Sequence, residues 1–276
     1  MTIKLAAIDI DNTLLTSAPA RALTTQNLQA IQQVTQLGAK IVLCSARPLA
    51  GVKRYLSQAS LSGDDQYVIV DNGALVQPVT GHTIGTQTLP AATVVKLVEL
   101  CQQNHWHYNA IDDSSTMCTT DTRLGFYTVQ LAAKYQAPLE VLPNSAAFLE
   151  RVFAKFDITE APELLDHIEP KIQELCGTDY YVVRSRPFLL EVLNRDANKG
   201  RALTNLAAQL GLKKNEIMAI GDEVNDLPMF AAAGIGVAMG NAVPAVKEAA
   251  DFITTDNDHS GVGYAIHKFM LDLWII

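Results

Sequence analysis

Short, mainly apolar runs alternate with amphipathic stretches over the N-terminal part of the chain. Residues 5–8, 40–44 and 68–70 form runs of the length that buried strands need. Apolar positions between the first two runs recur at helical spacing and stop before Gly38, which predicts a helix. The Asn72-Gly73 pair predicts a hairpin that leaves the sheet. This alternation of strands and helices predicts a parallel sheet covered by helices.

The same alternation returns in the C-terminal third of the chain. A helical face there is closed by Gly211, and residues 217–220 and 235–238 have the composition of buried strands. Phe252-Ile253 is predicted to form a last strand. The two ends of the chain are therefore expected to form one α/β domain that is interrupted by an insertion.

The insertion, residues 84–190, has a different pattern. An apolar stripe between Val94 and Cys101 predicts one helix, and two more are expected around Ala132 and Leu165. Three stretches have the composition of strands: residues 106–111, 151–158 and 180–183. The insertion is therefore expected to form an α+β domain of its own.

The composition limits the classes of function. A chain of 276 residues with 49% hydrophobic residues is long enough for two domains with sizeable cores. Its formal charge of −8 and its lack of a basic cluster argue against nucleic acid as a partner. Asp9 and Asp11 interrupt the N-terminal apolar stretch and no apolar run reaches about 18 residues, so we expect no signal peptide, no membrane span and a cytoplasmic protein. The four cysteines form no C-x-x-C pair, and we expect reduced, mostly buried thiols.

Two aspartates stand where the first predicted strand ends. Asp9 and Asp11 are two positions apart, and in extended backbone such residues point to the same face with Cα atoms roughly 6–7 Å apart. Carboxylates that lie so close repel each other unless a cation or a proton relieves the repulsion. Asn12 and Thr13 follow in a turn whose N–H groups can face an anion. A metal ion together with a phosphate group is the simplest occupant of such a site.

Four polar motifs follow one another along the chain: Asp9 to Leu14 (DIDNTL), Leu43 to Pro48 (LCSARP), Asn198 to Gly200 (NKG) and Gly221 to Asp226 (GDEVND). With these motifs the sequence resembles the haloacid dehalogenase superfamily of hydrolases, most closely its Cof-type sugar-phosphatase branch, subfamily IIB. It departs from that family at two points. Asn12 replaces the usual Gly of the first motif, and Ser45-Ala46 replaces the usual Thr-Gly of the second.

The resemblance implies a fold and a domain organisation. Residues 1–83 and 191–276 would form a Rossmann-like catalytic core with a parallel sheet. Residues 84–190, inserted between the second and third motifs, would form an α+β cap of the C2 type. We expect this cap to set substrate selectivity, because the core motifs contact only the groups common to every phosphate monoester.

The resemblance also implies a reaction. Asp9 is the candidate nucleophile, which would attack phosphorus and form an aspartyl-phosphate. Asp11 would protonate the leaving oxygen and then activate the water that cleaves this intermediate. Three residues are candidates for holding the phosphoryl oxygens: Ser45 through its hydroxyl and N–H, Lys199 through its charge and Asn225 through its amide.

Mg²⁺ is the implied cofactor. The carboxylates of Asp9 and Asp222 and the main-chain carbonyl of Asp11 would bind it, with waters and a phosphate oxygen completing a shell of about six oxygens. Asp226, four residues after Asp222, is expected to orient a ligand or Lys199.

The expected function is Mg²⁺-dependent hydrolysis of small phosphate monoesters, above all sugar phosphates. Asp11 favours a phosphatase over the related transport ATPases, which carry Thr at that position. A phosphomutase would use the same residues and stays open as the alternative. A non-catalytic phosphometabolite-binding regulator is disfavoured because every nucleophile and metal position is present. The sequence contains no feature that specifies an oligomeric state.

Overall fold

The protein is described by a computed structural model that covers residues 2–80 and 83–271. The chain divides into two compact units, each with its own sheet. The first unit is formed by Met1–Ala46, Val52–Gly85 and Asn198–Ile276, so far as these are described, and the second by Arg47–Gly51 and Thr86–Ala197. The predicted α/β class, with a parallel sheet and flanking helices, is confirmed.

Fourteen strands and nine α-helices are present in the described residues. The strands are β1 (Leu5–Asp9), β2 (Lys40–Cys44), β3 (Tyr67–Val70), β4 (Leu75–Pro78), β5 (Gly85–Thr86), β6 (Tyr108–Asp112), β7 (Met117–Thr119), β8 (Leu139–Val141), β9 (Phe153–Thr159), β10 (Tyr180–Arg186), β11 (Leu189–Asn194), β12 (Ile217–Gly221), β13 (Ile235–Ala238) and β14 (Phe252–Ile253). The helices are α1 (Thr25–Gln36), α2 (Lys53–Gln58), α3 (Ala91–Asn104), α4 (Phe126–Tyr135), α5 (Pro162–Cys176), α6 (Lys199–Gln209), α7 (Leu227–Ala232), α8 (Pro244–Ala249) and α9 (Gly261–Ile266).

The sheet of the first unit has the strand order β14-β13-β12-β1-β2-β3-β4-β5. The pairs from β14 to β3 are parallel, and β1 lies between β12 and β2. All five residues of β1 and of β12 are buried, as expected for parallel strands covered on both faces. The carboxyl ends of β12, β1 and β2 therefore meet at one edge of the sheet, where ligands of open α/β folds bind.

The β3–β4 hairpin corrects one prediction. The turn at Asn72-Gly73 is present, with φ values of 59° and 93°. However, β4 does not leave the sheet but pairs antiparallel with β3, from Val70 opposite Leu75 to Tyr67 opposite Pro78. All four residues of β4 are buried, so leaving the sheet would expose its apolar side chains to water.

Two helices of the first unit begin with side-chain caps. Thr24 caps α1 by accepting a hydrogen bond from the Asn27 N–H. Asn198 caps α6 in the same way, accepting from the Arg201 N–H at 2.8 Å. Because this cap fixes the start of α6, it also fixes the position of Lys199, the first residue of the helix.

The second unit contains a six-stranded sheet in the order β10-β11-β9-β6-β7-β8. Its pairs are antiparallel, except that β7 and β8 are parallel. The predicted stripe from Val94 to Cys101 lies on α3 and packs into the apolar core of this unit. The predicted return to the first domain at residue 191 falls inside β11, whose Leu190 and Val192 belong to this core, and the unit extends to Ala197.

Two further expectations from the sequence concern the state of the cysteines and membrane-spanning helices. All four cysteines are buried and free, in agreement with the prediction. In the described part of the chain, every helix is too short or too polar to cross a membrane.

Candidate active site

The predicted site residues lie at one edge of the first-unit sheet. Asp9 ends β1, Ser45 directly follows β2, Asp222 directly follows β12 and Lys199 begins α6. All four side chains are buried. The parallel strand order brings together Asp9, Ser45 and Asp222, and the start of α6 adds Lys199.

The turn after β1 keeps the shape that a glycine would allow. Asn12 has φ 59° and ψ 6°, which is left-handed backbone. Asn adopts this conformation more readily than most residues, so Asn12 can replace the usual Gly of the motif. A hydrogen bond from the Leu15 N–H to the Ile10 carbonyl, at 3.0 Å, closes this turn.

Lys199 bridges two carboxylates. Its Nζ lies 2.6 Å from Asp9 Oδ1 and 2.7 Å from Asp226 Oδ1, and its side chain is 1% exposed. Burial alone would lower the pKa of Lys199, but the charges of Asp226 and Asp9 outweigh it and hold the pKa above its ordinary value. Lys199 is therefore a buried cation in direct contact with the candidate nucleophile.

Asp226 organises the loop after β12. Its Oδ1 accepts from Lys199, and its Oδ2 accepts from the main-chain N–H groups of Asp222 at 2.9 Å and Glu223 at 3.1 Å. Gly221 allows this close approach, since a Cβ there would lie 2.5 Å from Asp226 Oδ2. Asp226 thus orients Lys199 and the loop that carries Asp222.

Three buried carboxylates converge in this site. Oxygen atoms of Asp9, Asp222 and Asp226 all lie within 4.8 Å of one another. Burial raises the pKa of Asp222 to about 7; the hydrogen bond from Thr13 opposes this shift, and the charges of Asp226 and Glu223 add to it. Burial also raises the pKa of Asp9. The charge of Lys199 opposes this rise, and the charges of Asp226 and Asp222 add to it.

This cluster fits a divalent cation. Three carboxylates face one lysine, so the site carries excess negative charge in a buried setting. Hard cations such as Mg²⁺ and Ca²⁺ prefer such oxygen donors. The cluster of carboxylates found among the described residues contains Asp226 and not Asp11, whose predicted contribution is its main-chain carbonyl.

Thr13 is a site residue whose side chain sequence reasoning missed. Its Oγ1 donates to Asp222 Oδ1 at 2.7 Å, and both side chains are buried. The sequence indicates only the N–H of Thr13 as a contact, because the partner of its hydroxyl lies 209 positions away. This bond fixes the orientation of the Asp222 carboxylate.

Ser45 was predicted to bind phosphate through both its hydroxyl and its N–H, and the structure differs for the N–H. Its N–H donates to the Ile69 carbonyl at 2.8 Å and is therefore part of the sheet ladder between β2 and β3. This N–H cannot be the predicted phosphate contact. The Ser45 hydroxyl alone therefore stays a predicted phosphate contact.

Asp11 and Asn225 have partners that the sequence did not indicate. Asp11 Oδ1 lies 3.3 Å from Arg21 Nη1, and the side chains of this pair are 33% and 42% exposed, respectively. Such half-exposed pairs stabilise a fold only weakly. Asn225 Nδ2 donates to Asn72 Oδ1 at 3.0 Å, across 153 positions of sequence.

Comparison with known proteins identifies the family. Residues 6–266 match the haloacid dehalogenase-like hydrolase family. The chain is 37% identical over 269 residues to "Putative phosphatase YxeH" of Bacillus subtilis, covering 97% of this chain and 98% of that protein. It is 26% identical over 288 residues to the 5-amino-6-(5-phospho-D-ribitylamino)uracil phosphatase YwtE of Bacillus subtilis, covering 97% and 98% of the two chains.

Solved structures agree with this result. A haloacid dehalogenase-like hydrolase from Bacteroides thetaiotaomicron superimposes with a TM-score of 0.88 at 28% identity, over 97% of this chain and 99% of that chain. The chain therefore belongs to the haloacid dehalogenase-like hydrolases, and the resemblance inferred from its four motifs is confirmed.

Proposed function

We propose that this protein is a Mg²⁺-dependent phosphomonoesterase that acts on small phosphate esters, sugar phosphates above all, through an aspartyl-phosphate at Asp9. The bridge that Lys199 makes between Asp9 and Asp226, inside a buried acidic cluster, carries this proposal. A lysine in this position can neutralise both the attacking carboxylate and an incoming phosphoryl group. The phosphatase names of the relatives support the same reaction class.

The proposed reaction has two steps. A carboxylate oxygen of Asp9 attacks phosphorus, the bond from phosphorus to the ester oxygen breaks, and Asp11 gives its proton to the departing alcohol. Asp11, now a carboxylate, takes a proton from a water molecule, whose oxygen attacks phosphorus. The bond from phosphorus to the Asp9 oxygen then breaks, which releases orthophosphate. Asp9 is then a carboxylate again and Asp11 is again protonated.

The remaining predicted residues would hold the phosphoryl group and the metal. Lys199 would neutralise phosphoryl oxygens from its buried position, and the Ser45 hydroxyl and the Asn225 amide would donate hydrogen bonds to them. The Asp9 and Asp222 carboxylates and the Asp11 carbonyl would hold Mg²⁺. When bound, Mg²⁺ supplies positive charge that offsets the carboxylates and the phosphoryl oxygens.

Substrate selectivity is assigned to the second unit, which we propose to be the C2-type cap. Every proposed role in the first-unit site concerns phosphate, metal or the bridging oxygen, which all monoesters share. The name of one relative, a phosphatase of a ribityl phosphate, supports substrates with a polyhydroxylated chain.

Product analysis on hexose phosphates tests the proposal and separates it from the phosphomutase alternative. We expect stoichiometric release of orthophosphate in the presence of Mg²⁺, loss of release with EDTA, and no requirement for a bisphosphate activator. Accumulation of an isomeric hexose phosphate with little free phosphate would instead establish a mutase. The absence of any phosphate release at ordinary enzyme concentrations would support the regulator hypothesis.

Mg²⁺ affinity is expected to rise with pH up to about pH 7. Since the folded protein holds the pKa of Asp222 at about 7, above the ordinary 3.8, this group binds a proton more tightly in the folded than in the unfolded state. Its contribution to metal-free stability is therefore lost as the pH rises from about 4 to about 7, and Mg²⁺ must displace a proton below about pH 7.

Titration calorimetry at about pH 5.5 and about pH 8 checks this prediction, with affinity expected to fall by up to about tenfold per pH unit below about pH 7. Asp222→Asn should bind Mg²⁺ weakly at both pH values. Equal affinity of the wild-type protein at the two pH values would contradict the assignment of Asp222 as a ligand.

Thr13→Val is expected to weaken Mg²⁺ binding by about 10–100-fold, because it removes the hydrogen bond that orients Asp222 while keeping the side-chain volume. Thr13→Ser keeps the hydroxyl and serves as the matched control, with affinity close to wild type. The measurement is Mg²⁺ titration of each variant together with its thermal unfolding. If Thr13→Val binds Mg²⁺ as tightly as Thr13→Ser, the hydroxyl does not orient the ligand.

Asp11→Asn is expected to lower turnover by about 10²–10⁴-fold, because it removes the proposed proton donor and acceptor. The loss should be greater for an alkyl phosphate than for p-nitrophenyl phosphate, since p-nitrophenolate leaves without a proton. Asp64→Asn, at an exposed position outside the site, is the control. Near-normal turnover of Asp11→Asn on both substrates would show that another group transfers the proton.

A further inference from the structure

The tip of the β3–β4 hairpin has an unusual backbone. Asp71, Asn72 and Gly73 have φ values of 49°, 59° and 93°, so three successive residues are left-handed and two of them are not glycine. Left-handed backbone is unfavourable for most residues with a side chain, although Asn and Asp tolerate it better than others, and a run of three such residues persists where surrounding contacts hold it. Such strain is concentrated at functional sites, which makes the contacts of this tip informative.

The tip contacts the segments that carry the three proposed phosphate-binding residues. The Asn72 N–H donates to the Ser45 carbonyl at 2.9 Å. Gly73 packs so closely on Asn198, the residue before Lys199, that a Cβ would lie 2.4 Å from its carbonyl carbon and oxygen. Asn225 donates its side-chain amide to Asn72 Oδ1 at 3.0 Å.

The contact with Asn225 has a chemical consequence. A side-chain amide has a donor end and an acceptor end, and only the donor end can bind a phosphoryl oxygen. Because Asn72 Oδ1 accepts one N–H of Asn225 Nδ2, the nitrogen end of the amide is turned to this side and its second N–H has a fixed direction. Without an acceptor at Asn72, the Asn225 amide could rotate and turn its oxygen toward the phosphoryl group. The two oxygens would then repel each other.

We infer that Asn72 is a positioning residue for phosphoryl binding, acting by fixing the orientation of the Asn225 amide. This inference rests on the proposed function, since Asn225 has this role only if the site binds a phosphoryl group. It goes beyond the four motifs, because the β3–β4 hairpin belongs to none of them.

Asn72→Gly is the discriminating variant, because glycine adopts φ 59° without strain while the side-chain acceptor is lost. We expect orthophosphate to bind the full-length, Mg²⁺-loaded Asn72→Gly protein about tenfold more weakly than the wild type. Thermal unfolding should stay close to the wild-type temperature, since both Asn and Gly adopt this backbone conformation. A purely structural role of Asn72 would change stability and leave orthophosphate affinity as it is.

Ser60→Gly is the matched control. Ser60 is exposed, lies outside the site and also has left-handed backbone, with φ 56°. The same replacement there should leave orthophosphate affinity and turnover unchanged.

A double-mutant cycle with Asn225→Ala tests whether Asn72 affects orthophosphate binding through Asn225. If Asn72 acts through Asn225, Asn72→Gly should change orthophosphate affinity by less than about twofold in the Asn225→Ala background. An equal loss in both backgrounds, or wild-type affinity of Asn72→Gly alone, would overturn the inference while leaving the proposed function intact. A wild-type protein that neither binds orthophosphate nor hydrolyses phosphate esters would overturn both.

Discussion

Asp9→Asn is expected to lower phosphatase turnover by at least about 10⁴-fold while the protein remains folded. The amide keeps the size of the side chain but lacks the nucleophilic carboxylate oxygen. Steady-state assays with p-nitrophenyl phosphate and Mg²⁺ measure the loss. Turnover within about a hundredfold of the wild type would show that Asp9 is not the nucleophile.

The stability of the same variant provides an independent check. Burial and the neighbouring carboxylates raise the pKa of Asp9, which means that the ionised group is unfavourable in the folded protein without metal. Replacing it with a neutral amide removes the cost of this buried charge, while Lys199 keeps its contact with Asp226. Asp9→Asn is therefore expected to unfold in EDTA at or above the wild-type temperature near neutral pH. Asp226→Asn, which weakens the contacts to Lys199 and to the loop after β12, should instead unfold at a lower temperature.

Lys199→Met is expected to lower the free energy of unfolding by about 3–5 kcal/mol and to abolish activity. Methionine has nearly the same length and volume, so the loss comes from leaving Asp9 and Asp226 buried without their cation. Urea unfolding in EDTA measures this loss, and addition of Mg²⁺ should recover part of it by binding the folded state.

Lys53→Met is the matched control for this replacement, because Lys53 is exposed and lies outside the site. Its free energy of unfolding should stay within about 0.5 kcal/mol of the wild type. If Lys199→Met proved equally harmless, the carboxylates would not depend on the lysine charge, and the bridge could not carry the proposed function.

The elements that position the site were predictable because their sequence signals are strong. β1 and β12 are uninterrupted apolar runs that end at polar motifs, and α1 has both a capping residue and a periodic apolar face. By contrast, β7 and β8 have only three residues each, too few to establish a period, and β8 is largely exposed.

β11 was not predicted from the sequence, for a different reason. It lies at the point where the pattern of the insertion meets that of the C-terminal region, and composition alone did not separate the two. Its assignment depends on pairing with β9 and β10, which only the tertiary structure provides.

The candidate site was predictable as a set of residues but only partly as a set of contacts. Motifs at strand ends were enough to bring Asp9 and Asp222 together, because parallel strands place their carboxyl ends at one edge. Lys199 begins a helix instead, and it was expected at the site only from the resemblance. The bonds from Thr13 to Asp222 and from Asn225 to Asn72 join positions 209 and 153 residues apart, and no local pattern encodes them.

Chemical trapping of the intermediate tests the central claim most directly. The wild-type enzyme would be mixed with a phosphate monoester and Mg²⁺, quenched in acid and reduced with borohydride, which converts an aspartyl-phosphate into homoserine. Peptide mass spectrometry should then find homoserine at residue 9, and none when substrate is omitted. Homoserine at another aspartate, or none at any aspartate under conditions of rapid turnover and efficient quenching, would contradict the proposed mechanism.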